Sequence, residues 1–242
     1  MNEQNWAKCT NPQTMLSFLQ GRASDRKLRL FGCACCRRIW DLLSDETCRR
    51  AVGVAELFAD GTATDRERGR AYRQVPWKRI VATEGDAVSY AAVAAAGAVN
   101  TFHPPRRLTF PAAVYVGEVA ENARFARNAH AVEMAGGGIA VHSDEWGKQG
   151  ALADEAARQA DLIRDIFGNV VRPIAADPAW QSPGVVGLAR TIYDGRSFDR
   201  MPALADALEE AGCSITDILD HLRGPGPHVR GCWVVDLLTG RQ

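Results

Sequence analysis

From Ser24 to about Ser44 the apolar residues recur at spacings of three and four, and they do so on two stripes at once. Leu28, Phe31, Cys35, Ile39 and Leu42 form one stripe; Cys36, Trp40 and Leu43 form the other, with Cys33 one turn before Cys36. A helix apolar over that much of its circumference is a central one, so other helices must surround it. Ser24 is placed as its N-cap, and Asp25 complements the positive end of the helix.

The rest of the chain offers those neighbours. Asn11-Pro12 opens a short helix through Met15, Leu16, Phe18 and Leu19 that Gly21 closes, and Asp45 or Thr47 starts another through Ala51, Val54, Ala55 and Phe58 that ends at Asp60-Gly61. A charged stretch from Thr64 to Arg73 leads to a break at Pro76. Two Ala-rich helices follow, Glu84 to Val99 and Ala112 or Gly117 to Ala135, separated by a connector from Asn100 to Pro111 whose prolines exclude regular helix. Small side chains let such a pair approach closely.

After Gly136-Gly137-Gly138, Ser143 is the N-cap of a long helix carrying Leu152, Ala156, Gln159, Ile163 and Ile166, with a Gly168-Asn169 stop. Val170 to Ile174 reads as extended. Short helices are expected over Val185 to Tyr193, Met201 to Ala211 and Thr216 to Leu222, and Cys232 to Val235 docks as a strand or a final helix beyond Gly224-Pro225-Gly226-Pro227. Sustained strand alternation, fixed-period repeats and long heptad runs are missing. The expected fold is all-α: a multi-helix globular bundle with irregular Pro/Gly-rich connections and little or no β-sheet.

The segments SDRKLRLFGCACCRRIW, LIRDIFGNVVRP and LRGPGPHVRGCWVVDLL resemble a highly paralogous family of bacterial proteins of planctomycete type. The likeness covers roughly residues 5–60 and 160–240 and carries over no activity and no catalytic residue. It implies one helical domain over 1–242 in which pieces 5–60 and 160–240 pack together, with an Ala-rich helical insertion at about 84–136.

Charge narrows the partners. The chain has 29 basic and 29 acidic residues, yet residues 1–80 hold 15 Lys/Arg against 9 Asp/Glu and the remainder 14 against 20. The basic excess is nearly all Arg, which suits planar pairing with carboxylates, so the two parts are read as complementing each other within one fold. No basic start runs into an apolar stretch, and the longest weakly polar run, Ala87 to Val99, is too short to span a bilayer. The expected location is cytoplasmic, with no membrane partner. In that compartment seven cysteines read as free thiols or metal ligands.

Metal binding is the sharpest site hypothesis. Cys33 and Cys36 share a helix face at i, i+3, and His228 and Cys232 follow at i, i+4, giving a Cys3His set with zinc-compatible donors. Against it stands core packing, since free Cys is among the most buried residue types. A nucleophilic triplet from a Cys, His221 or His228 and Asp220 has no supporting motif. The Glu-x-x-His pairs of a di-iron bundle are absent, and Gly136-Gly137-Gly138 lacks the Lys of a phosphate loop.

Arg26, Lys27, Arg29, Arg37, Arg38, Arg49, Arg50 and the Arg66, Arg68, Arg70, Arg73 series offer nucleic-acid contacts, although Asp65 and Glu67 interleave the last set. Gly224 to Trp233, with His228, Arg230 and Trp233, has the make-up of an interaction loop. The favoured reading of the same segment is a structural clamp, with Trp233 buried against the Cys33–Trp40 helix and Arg230 paired with an acid. The first functional reading is a non-enzymatic intracellular protein-interaction or regulatory module, without a cofactor, whose partner is another protein or a second copy. The second is a metal-binding, zinc-type or thiol-dependent structural or sensory protein, and the third an Arg-mediated nucleic-acid binder.

Overall fold

The computed structural model describes residues 1–76, 86–99, 112–134 and 150–241. Among them the chain is all-α, with no strand: α1 Glu3–Lys8, α2 Pro12–Leu19, α3 Asp25–Arg38, α4 Glu46–Ala59, α5 Asp65–Gln74, α6 Ala87–Val99, α7 Ala112–Met134, α8 Gly150–Phe167, α9 Pro183–Gly195, α10 Met201–Glu210, α11 Thr216–Arg223 and α12 Trp233–Thr239. Single 3-10 turns precede α9 and α10. None of the described helices is long and apolar enough to cross a membrane. The Asn100–Pro111 connector, Gly136-Gly137-Gly138 and the Ser143 N-cap lie outside the described residues.

The chain divides into two compact units: an internal one, Cys9–Ala160, and a terminal one made of Met1–Lys8 with Asp161–Gln242. The division falls within α8. Of the N-terminal piece expected over 5–60, residues up to Lys8 therefore share a unit with the C-terminal helices, whereas α2, α3 and α4 share one with the Ala-rich pair.

In the internal unit α3 packs against α4, α6 and α7, and every residue from Leu28 to Cys36 is buried. Small residues set the spacing. A Cβ on Gly97 of α6 would meet Val119 of α7 at 2.7 Å, and one on Gly32 of α3 would meet the same valine at 3.6 Å. The two Ala-rich helices form an antiparallel pair, because Val119 faces Gly97 while Glu133 near the end of α7 accepts the amide of Ala87 at the start of α6.

Arginines close this unit. Arg29 and Arg68 donate to the carbonyls of Ala98 and Val99 at 3.0 and 2.9 Å, where the negative end of α6 favours cations. Both guanidiniums also lie over Phe58. Arg26 pairs with Asp60 and Arg37 with Glu56, both acids of the first 80 residues, while Arg38 reaches Glu155 beyond them. Helix α3 stops at Arg38, short of the expected Ser44: Arg127 takes the Arg38 carbonyl and Arg49 that of Trp40. Ile39, Leu42 and Leu43 stay buried in the turns that follow.

The terminal unit has its own core, with Ile192, Tyr193, Leu204, Leu208, Ile218 and Val235 at its centre. Helix α9 packs on α10 and α12, and α10 on α11. The run after Cys232, left open between strand and helix, is helix α12. Val170 to Ile174 is not extended strand but begins with a turn in which the Asn169 side chain accepts the amides of Val171 and Arg172.

Candidate metal centre

Four side chains of the terminal unit converge on one point. Asp165 comes from the last turn of α8, His221 from α11, His228 from the loop that follows it and Cys232 from the N-cap of α12. Each offers one ligand atom, and those atoms all lie within 4.8 Å of one another. The His221 Nε2 is 3.2 Å from Cys232 Sγ and 3.2 Å from Asp165 Oδ1, and the His228 Nδ1 is 3.1 Å from the same oxygen. Among the described residues this is the one group of three or more His, Cys, Asp or Glu side chains that can hold a metal ion.

Local structure explains why they meet. The Gly-Pro-Gly-Pro loop reverses the chain between α11 and α12, returning His228 and Cys232 to the end of α11 where His221 stands. Asp165 reaches the same point because α8 ends two residues later, with Gly168 in the left-handed region at φ 64°. Trp233, next to Cys232, lies against Gly168 and has its ring 5.5 Å from that of His221.

The surrounding contacts orient the donors as metal-site contacts do. The far nitrogen of His228, Nε2, faces the Gly224 carbonyl at 3.4 Å, so with an ion bound a ring N–H donated outward would leave the Nδ1 lone pair to the ion, in place of the Nδ1 hydrogen bond to Asp165. The second oxygen of Asp165 accepts the Val229 amide at 3.0 Å. Burial pushes the Asp165 carboxyl up, but hydrogen bonds and charge from His221 and His228 outweigh it and hold the group below the usual carboxylate value. Burial, with Asp165 nearby, pushes the Cys232 thiol well up.

This geometry is not that of a Cys-His-Asp triad. A triad uses opposite ring nitrogens for nucleophile and carboxylate, whereas here one nitrogen of His221 faces both. Cys232 is also fully buried. Atoms bound to one tetrahedral ion at bond lengths of about 2.0–2.3 Å stand about 3.3–3.6 Å apart, close to the 3.1–3.2 Å that separates three of the six pairs. A carboxylate and a thiolate bring two negative charges, which a divalent cation balances.

Of the residues singled out from sequence, His228 and Cys232 are in this cluster, joined there by Asp165 and His221. Cys33 and Cys36 lie on α3 in the internal unit, where burial pushes both thiols well up and Cys33 faces the Val52 carbonyl at 3.9 Å. Of the interaction-loop residues, Trp233 stands beside the cluster and Arg230 lies over Tyr193. His221 carried a sequence signal, since two histidines and a cysteine flank one Pro/Gly loop. Asp165 carried none, standing 63 positions before His228.

Gly168 offers a test of how tightly the centre is built. A Cβ there would meet Trp233 at 2.9 Å, on a backbone at φ 64° that L side chains rarely adopt. Gly168→Ala is expected to cost about 1–2 kcal/mol from the backbone alone, read by urea denaturation.

Comparison with known proteins finds no family model, no curated protein and no solved structure that matches the chain.

Proposed function

We propose that the terminal unit is a zinc-type metal-binding module and that the protein acts as a non-enzymatic structural or regulatory element built on it. Asp165 Oδ1, His221 Nε2, His228 Nδ1 and Cys232 Sγ supply one oxygen, two nitrogens and one sulfur. The observation that carries this reading is the convergence of these four atoms on a single point, with the outward nitrogen of His228 and the second oxygen of Asp165 engaged elsewhere. Borderline donors of this kind in a tetrahedral arrangement favour zinc over magnesium or calcium, which take oxygen ligands. Four protein ligands fill a tetrahedral shell and leave no position for a reacting water, which separates structural from catalytic zinc sites.

Cobalt(II) is the test ion, because it accepts the same shell and is coloured. Titration of the full-length protein is expected to saturate at one equivalent, with intense tetrahedral visible bands and a sulfur-to-cobalt charge-transfer band that Cys232→Ser removes. Weak octahedral bands, or a spectrum indifferent to Cys232, would overturn the proposal.

A further inference from the structure

We infer that metal occupancy of this centre is linked to docking of the N-terminal helix, so that the first eight residues form a metal-gated arm; this rests on the metal reading above. Helix α1 has six residues and one buried side chain, Trp6. A helix that short has no stability of its own. Its order comes from what it touches.

What it touches is the chain around Asp165. The indole Nε1 of Trp6 donates to the Gly168 carbonyl at 2.9 Å in a buried hydrogen bond, and Arg164 donates to the Trp6 carbonyl at 3.3 Å. The Asn169 amide donates to Glu3 at 2.6 Å, and Arg172 pairs with the same carboxylate at 3.3 Å. Every one of these anchors lies within 164–172, the segment that carries the ligand Asp165. Gly168 is in turn pressed by Trp233, the neighbour of the ligand Cys232.

An ion holding Asp165 and Cys232 therefore fixes the turn on which Trp6 docks, from both sides. Linkage is reciprocal: if the ion favours docking, docking tightens the ion by the same factor. With the metal removed, the end of α8 and the start of α12 lose their shared tether, and α1 loses the surface that orders it. The released segment carries Trp6, an apolar anchor that another surface could then take up. Metal supply would set how often that happens.

Two measurements on the full chain test this. Hydrogen exchange at the amides of residues 3–8 is compared with zinc bound and after chelation, and the cobalt dissociation constant is compared between the wild type and Trp6→Phe, which removes the indole donor together with part of the buried ring. Exchange at 3–8 is expected to speed up at least about tenfold on chelation. Trp6→Phe is expected to weaken cobalt about two- to tenfold, as loss of one buried hydrogen bond allows.

Stoichiometric cobalt binding with unchanged exchange at 3–8 and an unchanged Trp6→Phe constant overturns the linkage and leaves the metal centre standing. No cobalt binding overturns the centre and the linkage together. The exchange measurement needs no substitution, so a Trp6→Phe chain that fails to fold leaves the test intact.

Discussion

Asp165→Ala is expected to lose metal affinity by a factor of about 100 or more and to destabilise the terminal unit even without metal. The first effect follows from the ligand count: structural zinc binding of about 10–16 kcal/mol, shared among four ligands, assigns about 3 kcal/mol to each. The second follows from the contacts. Asp165 is buried with its side chain 2% exposed and faces His221, His228 and the amide of Val229, all of which lose their acceptor together. Leaving buried donors without their acceptor costs about 1–3 kcal/mol. Cobalt competition reads the first effect and urea denaturation in chelator the second. Cys232→Ser separates them: it removes a ligand but keeps the Asp165 cluster, so metal affinity falls while stability in chelator changes much less.

The internal unit gives the second large effect. Glu155 has its side chain 4% exposed and meets Arg38 through two parallel hydrogen bonds of 2.7 and 2.8 Å. Arg38→Met leaves that carboxylate buried without its cation and is expected to cost about 3–5 kcal/mol, whereas Arg38→Met with Glu155→Met recovers most of the loss. Urea denaturation of the two singles and the double, read as a cycle, gives the coupling. If Arg38→Met alone is neutral, the pair does not hold the unit together.

Periodicity made the helices readable, because a buried face repeats every three or four residues whatever it packs against. The two stripes of α3 announced a central helix, and its flanking residues are buried as that pattern demands. Where α3 stops was hidden, since Arg127, which takes the carbonyl of its last residue, Arg38, comes from a distant part of the chain. The Arg68 hydrogen bond to the Val99 carbonyl was hidden for the same reason. An arginine series in sequence does not disclose which of its members turns inward.

The site was half legible. His228 and Cys232 flank one turn of loop, so their meeting is local, and spacing alone suggested it. Asp165 arrives through the tertiary fold, and a lone carboxylate among 29 acidic residues carries no pattern. Cys33 and Cys36 drew attention through their i, i+3 spacing, but the same spacing serves a helix stripe. On α3 both side chains are packed within the internal unit, Cys33 at 1% and Cys36 at 0% exposure. A thiol suits either role chemically, and only its surroundings separate a ligand from a small apolar side chain.

The most direct test of the metal centre is X-ray absorption at the zinc edge on the full-length, zinc-loaded protein. The expected result is one zinc with three nitrogen or oxygen neighbours at about 2.0–2.1 Å and a single sulfur at about 2.3 Å. Three sulfurs would instead assign the ion to Cys33 and Cys36 with Cys232, and a shell of six oxygens would mean that no built site holds it; either result contradicts the centre formed by Asp165, His221, His228 and Cys232.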